Sequence, residues 1–216
     1  MKKSILIKII SVICLMILII GVVLSIKAFQ LKKILNKIDT YKDIKNYYAK
    51  IESWVEETNN SEEKKNIKTQ EIFFYNGVMK MTADNMEIWI DYNTNEGYAI
   101  NLSSKEAKKL NADSIKDYNA PNQNTLSSFK PTIVINNFFD YYRIDLKIKS
   151  IDEYYILSDE NDEYKINKDT GLLELHTLKM LTETQYTKYE VDLNMVKSDE
   201  VEMIDLSDYE IIWFCE

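Results

Sequence analysis

Residues 72–81 read Ile-Phe-Phe-Tyr-Asn-Gly-Val-Met-Lys-Met. An Asn-Gly pair between two short apolar and aromatic runs is a strong signal for a type I′ hairpin, because both central residues of that turn need positive φ. The same grammar continues outward. Met86, Ile88, Ile90 and Tyr92 alternate, Asn93-Thr94-Asn95-Glu96-Gly97 follows, and Tyr98, Ile100 and Leu102 alternate again. Glu163–Asn167 leads through Lys168-Asp169-Thr170-Gly171 into Leu172–Leu181. Gly77, Gly97 and Gly171 are each read as the positive-φ residue of a turn. Upstream, Tyr47–Glu57 sets Tyr48, Lys50, Glu52 and Trp54 against Tyr47, Ala49, Ile51 and Val55, and opens the sheet. Asp152–Ser158 and Gln185–Leu193 add further strands. About eight or nine strands are expected, mostly joined by hairpins.

Two helical stretches interrupt this pattern. Ser103-Ser104-Lys105-Glu106 begins like a capping box and predicts a short helix over Ser104–Leu110. Residues 111–131 hold both prolines and read as a loop. Ile133, Ile135, Phe138, Phe139 and Tyr142 gather on one side of a helix expected over Thr132–Arg143. The end, Asp199–Glu216, reads as an edge strand or an extended tail.

The N-terminus is of another kind. Ile9–Ile26 carries no charge over 18 residues. At about 1.5 Å per residue it matches the hydrocarbon thickness of a bilayer. It is longer than a secretory h-region and lacks a small-x-small cleavage site, so it reads as an uncleaved anchor. Leu31, Ile34, Leu35, Ile38 and Tyr41 then mark an amphipathic helix over 27–45. The expected organisation is therefore a cytoplasmic tip and transmembrane anchor (1–26), a basic juxtamembrane helix (27–45) and an extracytoplasmic β-rich domain (46–216). The short basic N-terminus, with Lys2, Lys3 and Lys8, places the domain outside.

Charge follows the same division. The net charge is -8 over 216 residues. Residues 1–26 contribute +3, residues 27–50 contribute +5 and residues 51–216 contribute -16. The basic stretch reads either as a face against anionic headgroups or as a solvated helix face. An acidic body with a single arginine, Arg143, argues against nucleic acid and against arginine-based phosphate recognition. One histidine, His176, and two cysteines, Cys14 and Cys215, exclude a His-based metal cage and a disulfide framework. His176 reads as structural. Asp159-Glu160-Asn161-Asp162-Glu163 lacks the glycine of a calcium loop and reads as a hairpin turn. No Gly-x-Ser-x-Gly elbow or Gly-rich phosphate loop is present. No cofactor, metal or enzymatic activity is expected.

The order of these pieces resembles the lipoprotein-carrier-like (LolA-like) half-barrel family. A membrane-linked helix precedes a strand, the Asn76-Gly77 hairpin, Gly97-Tyr98-Ala99-Ile100, a Lys-rich segment, a helical insert, Asp169-Thr170-Gly171-Leu172-Leu173, Asn194-Met195-Val196-Lys197 and Asp205-Leu206-Ser207-Asp208-Tyr209. The resemblance covers about residues 30–210. It implies an α+β fold in which a curved antiparallel sheet packs on helices, with an apolar hollow for a lipid or a lipidated protein. The wall candidates are Trp54, Phe74, Trp89, Tyr98 and Phe138. The functional expectation is a bacterial single-pass membrane protein that binds a lipid, another apolar ligand or a lipidated envelope protein. The alternative is a non-catalytic structural or regulatory module of a cell-envelope complex.

Overall fold

A computed structural model describes residues 2–39, 44–57, 60–117, 142–143 and 145–213. The first element, α1, is one continuous helix, Lys2–Asp39. Its side chains from Ile9 to Val23 are exposed. By length and composition it is apolar enough to cross a membrane. Burial begins at Ala28 and is complete at Leu31 and Ile34, which are 0% and 2% exposed. Of the helix expected over 27–45, residues 27–39 are the end of α1, with Leu31, Ile34 and Leu35 of its apolar stripe against the sheet; residues 40–43 lie outside the described residues, and Ile44 and Lys45 are not helical.

That sheet has twelve strands. The first six are β1 (Asn46–Glu57), β2 (Asn60–Tyr75), β3 (Val78–Ala83), β4 (Met86–Asp91), β5 (Glu96–Asn101) and β6 (Glu106–Lys109). A helix, α2 (Ala112–Asp117), follows. The remaining strands are β7 (Lys147–Ile151), β8 (Tyr154–Ser158), β9 (Asp162–Asn167), β10 (Leu173–Lys179), β11 (Glu183–Leu193) and β12 (Glu210–Ile212). Their spatial order is β12-β6-β5-β4-β3-β2-β1-β11-β10-β9-β8-β7. Two meanders therefore meet where β1 pairs with β11, from Tyr47↔Leu193 to Glu57↔Glu183. All ladders are antiparallel except β12 on β6. β1, the first strand in sequence, lies at the centre of the sheet.

One face of the sheet carries both hydrophobic cores. Tyr47, Ala49, Phe74, Met79, Ile90 and Leu110 form one of them, closed by Ile115 of α2 and by Leu172. Leu146, Leu157, Tyr164, Ile166 and Leu173 form the other, closed by Leu31 and Ile34 of α1. Burying each such aliphatic side chain contributes about 1.5–3 kcal/mol. Two lysines tie α1 to the same strands: Lys27 Nζ donates to the Arg143 carbonyl, and Lys37 Nζ donates to the Lys168 carbonyl at 2.6 Å.

The opposite face is crossed by the C-terminal segment. Asn46 holds Val196 through Nδ2→O at 2.8 Å and N→Oδ1 at 2.9 Å. A 3₁₀ turn, Ser198–Val201, packs over β2 and β3, and Trp89 Nε1 donates to the Val201 carbonyl at 2.9 Å. The chain then joins the edge as β12, as the edge-strand expectation for Asp199–Glu216 allows. On this face lies Glu87, 4% exposed, with Lys80 Nζ at 3.6 Å and Oε1 without a hydrogen bond.

Several expectations are corrected. Ser104–Leu110 is not a helix. Asn101 Oδ1 accepts the backbone N–H groups of Ser103 and Ser104, Lys105 takes φ 58°, and the chain returns as β6. The segment 111–131 is not loop from its start. Asn111 Oδ1 accepts the Ser114 N–H at 2.7 Å and nucleates α2. Gly97 has no positive φ; Asn95 carries it, at 57°. Gly97 is needed for space instead, since an added Cβ would lie 3.2 Å from Ile90, Leu110 and the Trp89 carbonyl. Of the helix expected over Thr132–Arg143, residues 132–141 lie outside the described residues.

Two outcomes test this packing. Leu31→Ala should cost about 2–5 kcal/mol, while exposed Lys33→Ala stays within about 0.5 kcal/mol, read by urea denaturation of the full chain in detergent. Burial pushes the Glu87 carboxyl up, partly offset by Lys80. The folded state then binds that proton more tightly than the unfolded chain, so stability falls as pH rises through the folded value. Glu87→Gln should flatten that decline in melts between about pH 4 and pH 7.

Candidate binding cleft

β10 and β11 separate before either ends. Their ladder runs only from Leu175↔Lys188 to Lys179↔Thr184. β11 continues to Leu193 in register with β1, while the start of β10 stays with β9 through Leu173↔Ile166. The cause is local. Gly171, at φ 74°, ends the turn after β9, and a register shift follows between Leu173 and Leu175. Leu172 and Leu173 are adjacent, yet one enters each core. Regular alternation cannot bury both, so the strand bends at Glu174.

Asn167 holds the bend. Its Oδ1 accepts the Asp169 and Thr170 N–H groups at 2.8 and 3.0 Å, and its Nδ2 donates to Glu174 Oε1 at 3.0 Å. The Thr170 hydroxyl accepts the Leu172 N–H at 3.2 Å.

The separation opens a cleft of about 620 Å³. Its apolar wall is Trp54, Leu172, Leu173, Leu175, Tyr189 and Val191. Burial pushes the Tyr189 phenol up, and it stays neutral. The rim is ionic: Lys165 lies 3.8 Å from Glu174 and over the Tyr154 ring, and Lys188 lies 2.5 Å from Glu190. Hydrogen bonds to the neighbouring carboxylates hold Lys188 and Lys50 above their usual range.

Backbone direction adds a second property. Asn194 N donates to the Asn46 carbonyl at 2.9 Å, so even-numbered β11 residues address β1. Odd-numbered Val191 and Leu193 therefore turn their N–H and C=O groups toward the side that the β10 ladder does not reach.

The wall candidates fall in separate places. Trp54 lines the cleft, stacks on Tyr186 at 5.2 Å and 11°, and donates to Glu56. Phe74 is in the core on the helix-bearing face, 5.3 Å from Tyr47. Trp89 lies on the other face with its indole on Val201, and Tyr98 lies opposite it in the β4–β5 ladder. Phe138 lies outside the described residues. Sequence reasoning missed the cleft itself. Its one signal was Leu172-Leu173 directly after Gly171, which breaks the alternation.

His176 Nε2 lies 2.6 Å from Asp162 Oδ1, and its ring stacks on Tyr164 at 4.6 Å and 5°. The Asp159–Glu163 segment is the β8–β9 turn, with Asp159 Oδ1 accepting the Asn161 and Asp162 N–H groups. Among the described residues, no three His, Cys, Asp or Glu side chains are grouped to hold a metal ion.

No family model and no curated protein matches the chain. Solved structures align with it at low identity. An uncharacterized conserved protein from Thermus thermophilus is 8% identical, over 86% of this chain and 99% of that one, with a TM-score of 0.49. MucB in complex with MucA(peri) is 12% identical over 84% of this chain and 61% of that one, with a TM-score of 0.34. A LolA superfamily protein, NE2245 from Nitrosomonas europaea, is 10% identical over 80% and 97%, with a TM-score of 0.32. The superfamily named from the order of turns and strands is thus among the aligned structures. Likeness of this degree carries no argument about ligand or partner, which only the chain's own geometry can supply.

The bend itself is testable. Gly171→Ala should cost about 1–2 kcal/mol, because a side chain is placed at positive φ. Asn167→Ala should cost about 1–3 kcal/mol through its lost hydrogen bonds. Both are read as shifts in urea midpoint, with no change in the cooperativity of unfolding.

Proposed function

We propose that this is a membrane-anchored, non-catalytic binding protein whose β10–β11 cleft takes the apolar chain of a lipid or of a lipidated envelope protein. The observation that carries the reading is the cleft's two-part lining: an apolar wall continuous with both cores, and a rim of lysines and carboxylates. That pairing suits an amphiphile, with its tail against Leu172, Leu173, Leu175 and Val191 and its polar end at Lys165 and Lys188. A volume of about 620 Å³ falls within the usual range of small-ligand sites. On this reading α1 is the anchor, the domain is extracytoplasmic, and the protein is a single-pass resident of a bacterial cell membrane.

Native mass spectrometry of the full chain in nanodiscs should show a retained lipid. Val191→Trp, which fills the cleft, should lower affinity for a fluorescent fatty acid at least tenfold. A clean apo mass together with no probe binding by the unsubstituted protein overturns the lipid reading.

A second reading, a structural or regulatory module, is favoured by one specific observation. The backbone groups of Val191 and Leu193 face the cleft as an open strand edge does, which is the requirement for adding an extended segment of a partner protein. A photo-crosslinking residue at position 193 in intact cells discriminates between the two. A protein adduct through an unacylated peptide supports strand addition, and a lipid or an acylated peptide adduct supports the first reading.

A further inference from the structure

We propose that the β10–β11 hairpin tip, Met180-Leu181-Thr182, is a second membrane contact, inserting its apolar side chains into the interface of the bilayer that α1 crosses. The proposal rests on reading α1 as the membrane anchor, and it concerns a surface remote from the cleft.

Two bonds set how α1 lies against the strands. Lys27 bonds the Arg143 carbonyl and Lys37 bonds the Lys168 carbonyl. The ten helical steps from Lys27 to Lys37 rise about 15 Å. Arg143 reaches Asp159 at 3.6 Å, in the β8–β9 turn, while Lys168 follows the other end of β9. The six residues of β9 span about 20 Å. Helix and strands therefore run side by side, with the β8–β9 turn toward the Lys27 end of the buried helix, next to Ile26.

The hairpin tip extends past that level. Lys179 N donates to the Asn161 carbonyl at 2.8 Å, which ties the end of β10 to the β8–β9 turn. Met180 N donates to the Glu183 carbonyl at 2.9 Å and closes the tip. Leu181 lies two residues further on, about 6–7 Å along the strand direction. That distance equals about four residues of helix and carries Leu181 past the turn toward the apolar part of α1. Adjacent strands rotate by only about 20–25°, so β10 keeps close to the direction of β9.

The exposure pattern fits a lipid-facing tip. Leu181 is 100% exposed and Met180 is 39% exposed. Phe29, on α1 just beyond its apolar part, is 71% exposed, as aromatic side chains at a membrane interface are. Ala28 is already buried, so no spacer lifts the domain off the bilayer. The surround of the tip is acidic: Arg143 is shared between Asp145 and Asp159, Glu160 lies in the same turn, and Glu183 stands opposite Glu57 of β1. The contact is therefore apolar rather than an attraction to anionic headgroups.

The test uses the full chain in phosphatidylcholine nanodiscs, with Cys14→Ala and Cys215→Ser as background. Single cysteines Leu181→Cys, Ile17→Cys and Met195→Cys carry a polarity-sensitive fluorophore, and brominated lipids serve as quencher. Met195 is exposed at the opposite end of β11. Expected is a blue-shifted, quenched label at 181 and at 17, with neither change at 195. Quenching at 17 while 181 behaves like 195 overturns this proposal alone. No quenching at 17 overturns the anchor reading and this proposal with it.

Discussion

The core over β7–β10 is closed by the last turns of α1. A helix that is apolar on all sides for eighteen residues has no reason to stop at the membrane surface, and here it does not stop. The same helix turns Ala28, Leu31 and Ile34 into the core over β7–β10 and fixes its height with Lys27 and Lys37. At least those two address backbone carbonyls of the domain, whereas Lys32 and Lys33 remain exposed.

The second constraint is the pairing of β1 with β11. It joins two meanders whose other ladders are nearly all local hairpins. Residues more than a hundred positions apart must meet before the core under β1–β5 closes, because Tyr47 and Ala49 on one side and Val191 and Leu193 on the other share the same face. Loop closure over that separation is entropically costly, so this ladder is expected to form late, after the hairpins. The central strand is correspondingly the longest continuous match in the sheet, and it carries charged pairs on its outer face, Lys50–Glu52 beside Lys188–Glu190.

Much of this was legible in the sequence where geometry demands one residue type. Asn76-Gly77 must be a turn, and it is: Asn76 takes φ 47° and Gly77 takes 88°. Gly171 likewise carries positive φ. The misreadings share a cause. Asn, Asp and Lys supply positive φ at Asp84, Asn95, Lys105, Asp152 and Asn194, so several turns carry no glycine signal. Ser103–Glu106 resembles a helix start because the same serine-to-glutamate spacing serves a turn closed by Asn101. The first half of β2 is so charged that no alternation shows, and only its partner β1 keeps it extended. The wall candidates scattered because alternation tells which residues share a face, not which face the helices cover. Phe74 and Phe73 are neighbours in sequence, yet one is core and the other packs tilted against Tyr48 on the opposite side.

The position of the cleft relative to the membrane shapes what the proposed function can mean. Leu172 and Leu173 follow the turn that Lys37 bonds, and Lys37 stands about 16 Å along the helix from Ile26. The Leu172–Leu173 side of the cleft thus lies toward the Lys37 end of α1, opposite the Met180–Leu181 tip, and on the anchor reading it is the side away from the bilayer. A lipid in the supporting leaflet would have to leave the hydrocarbon and cross an acidic surface to enter. An acyl chain borne on a protein, or an extended protein segment, arrives from the aqueous side without that crossing. Under the binding proposal, the geometry therefore favours a ligand presented by a partner over one drawn laterally from the membrane, which brings the lipidated-protein and strand-addition readings to the same mouth of the same cleft.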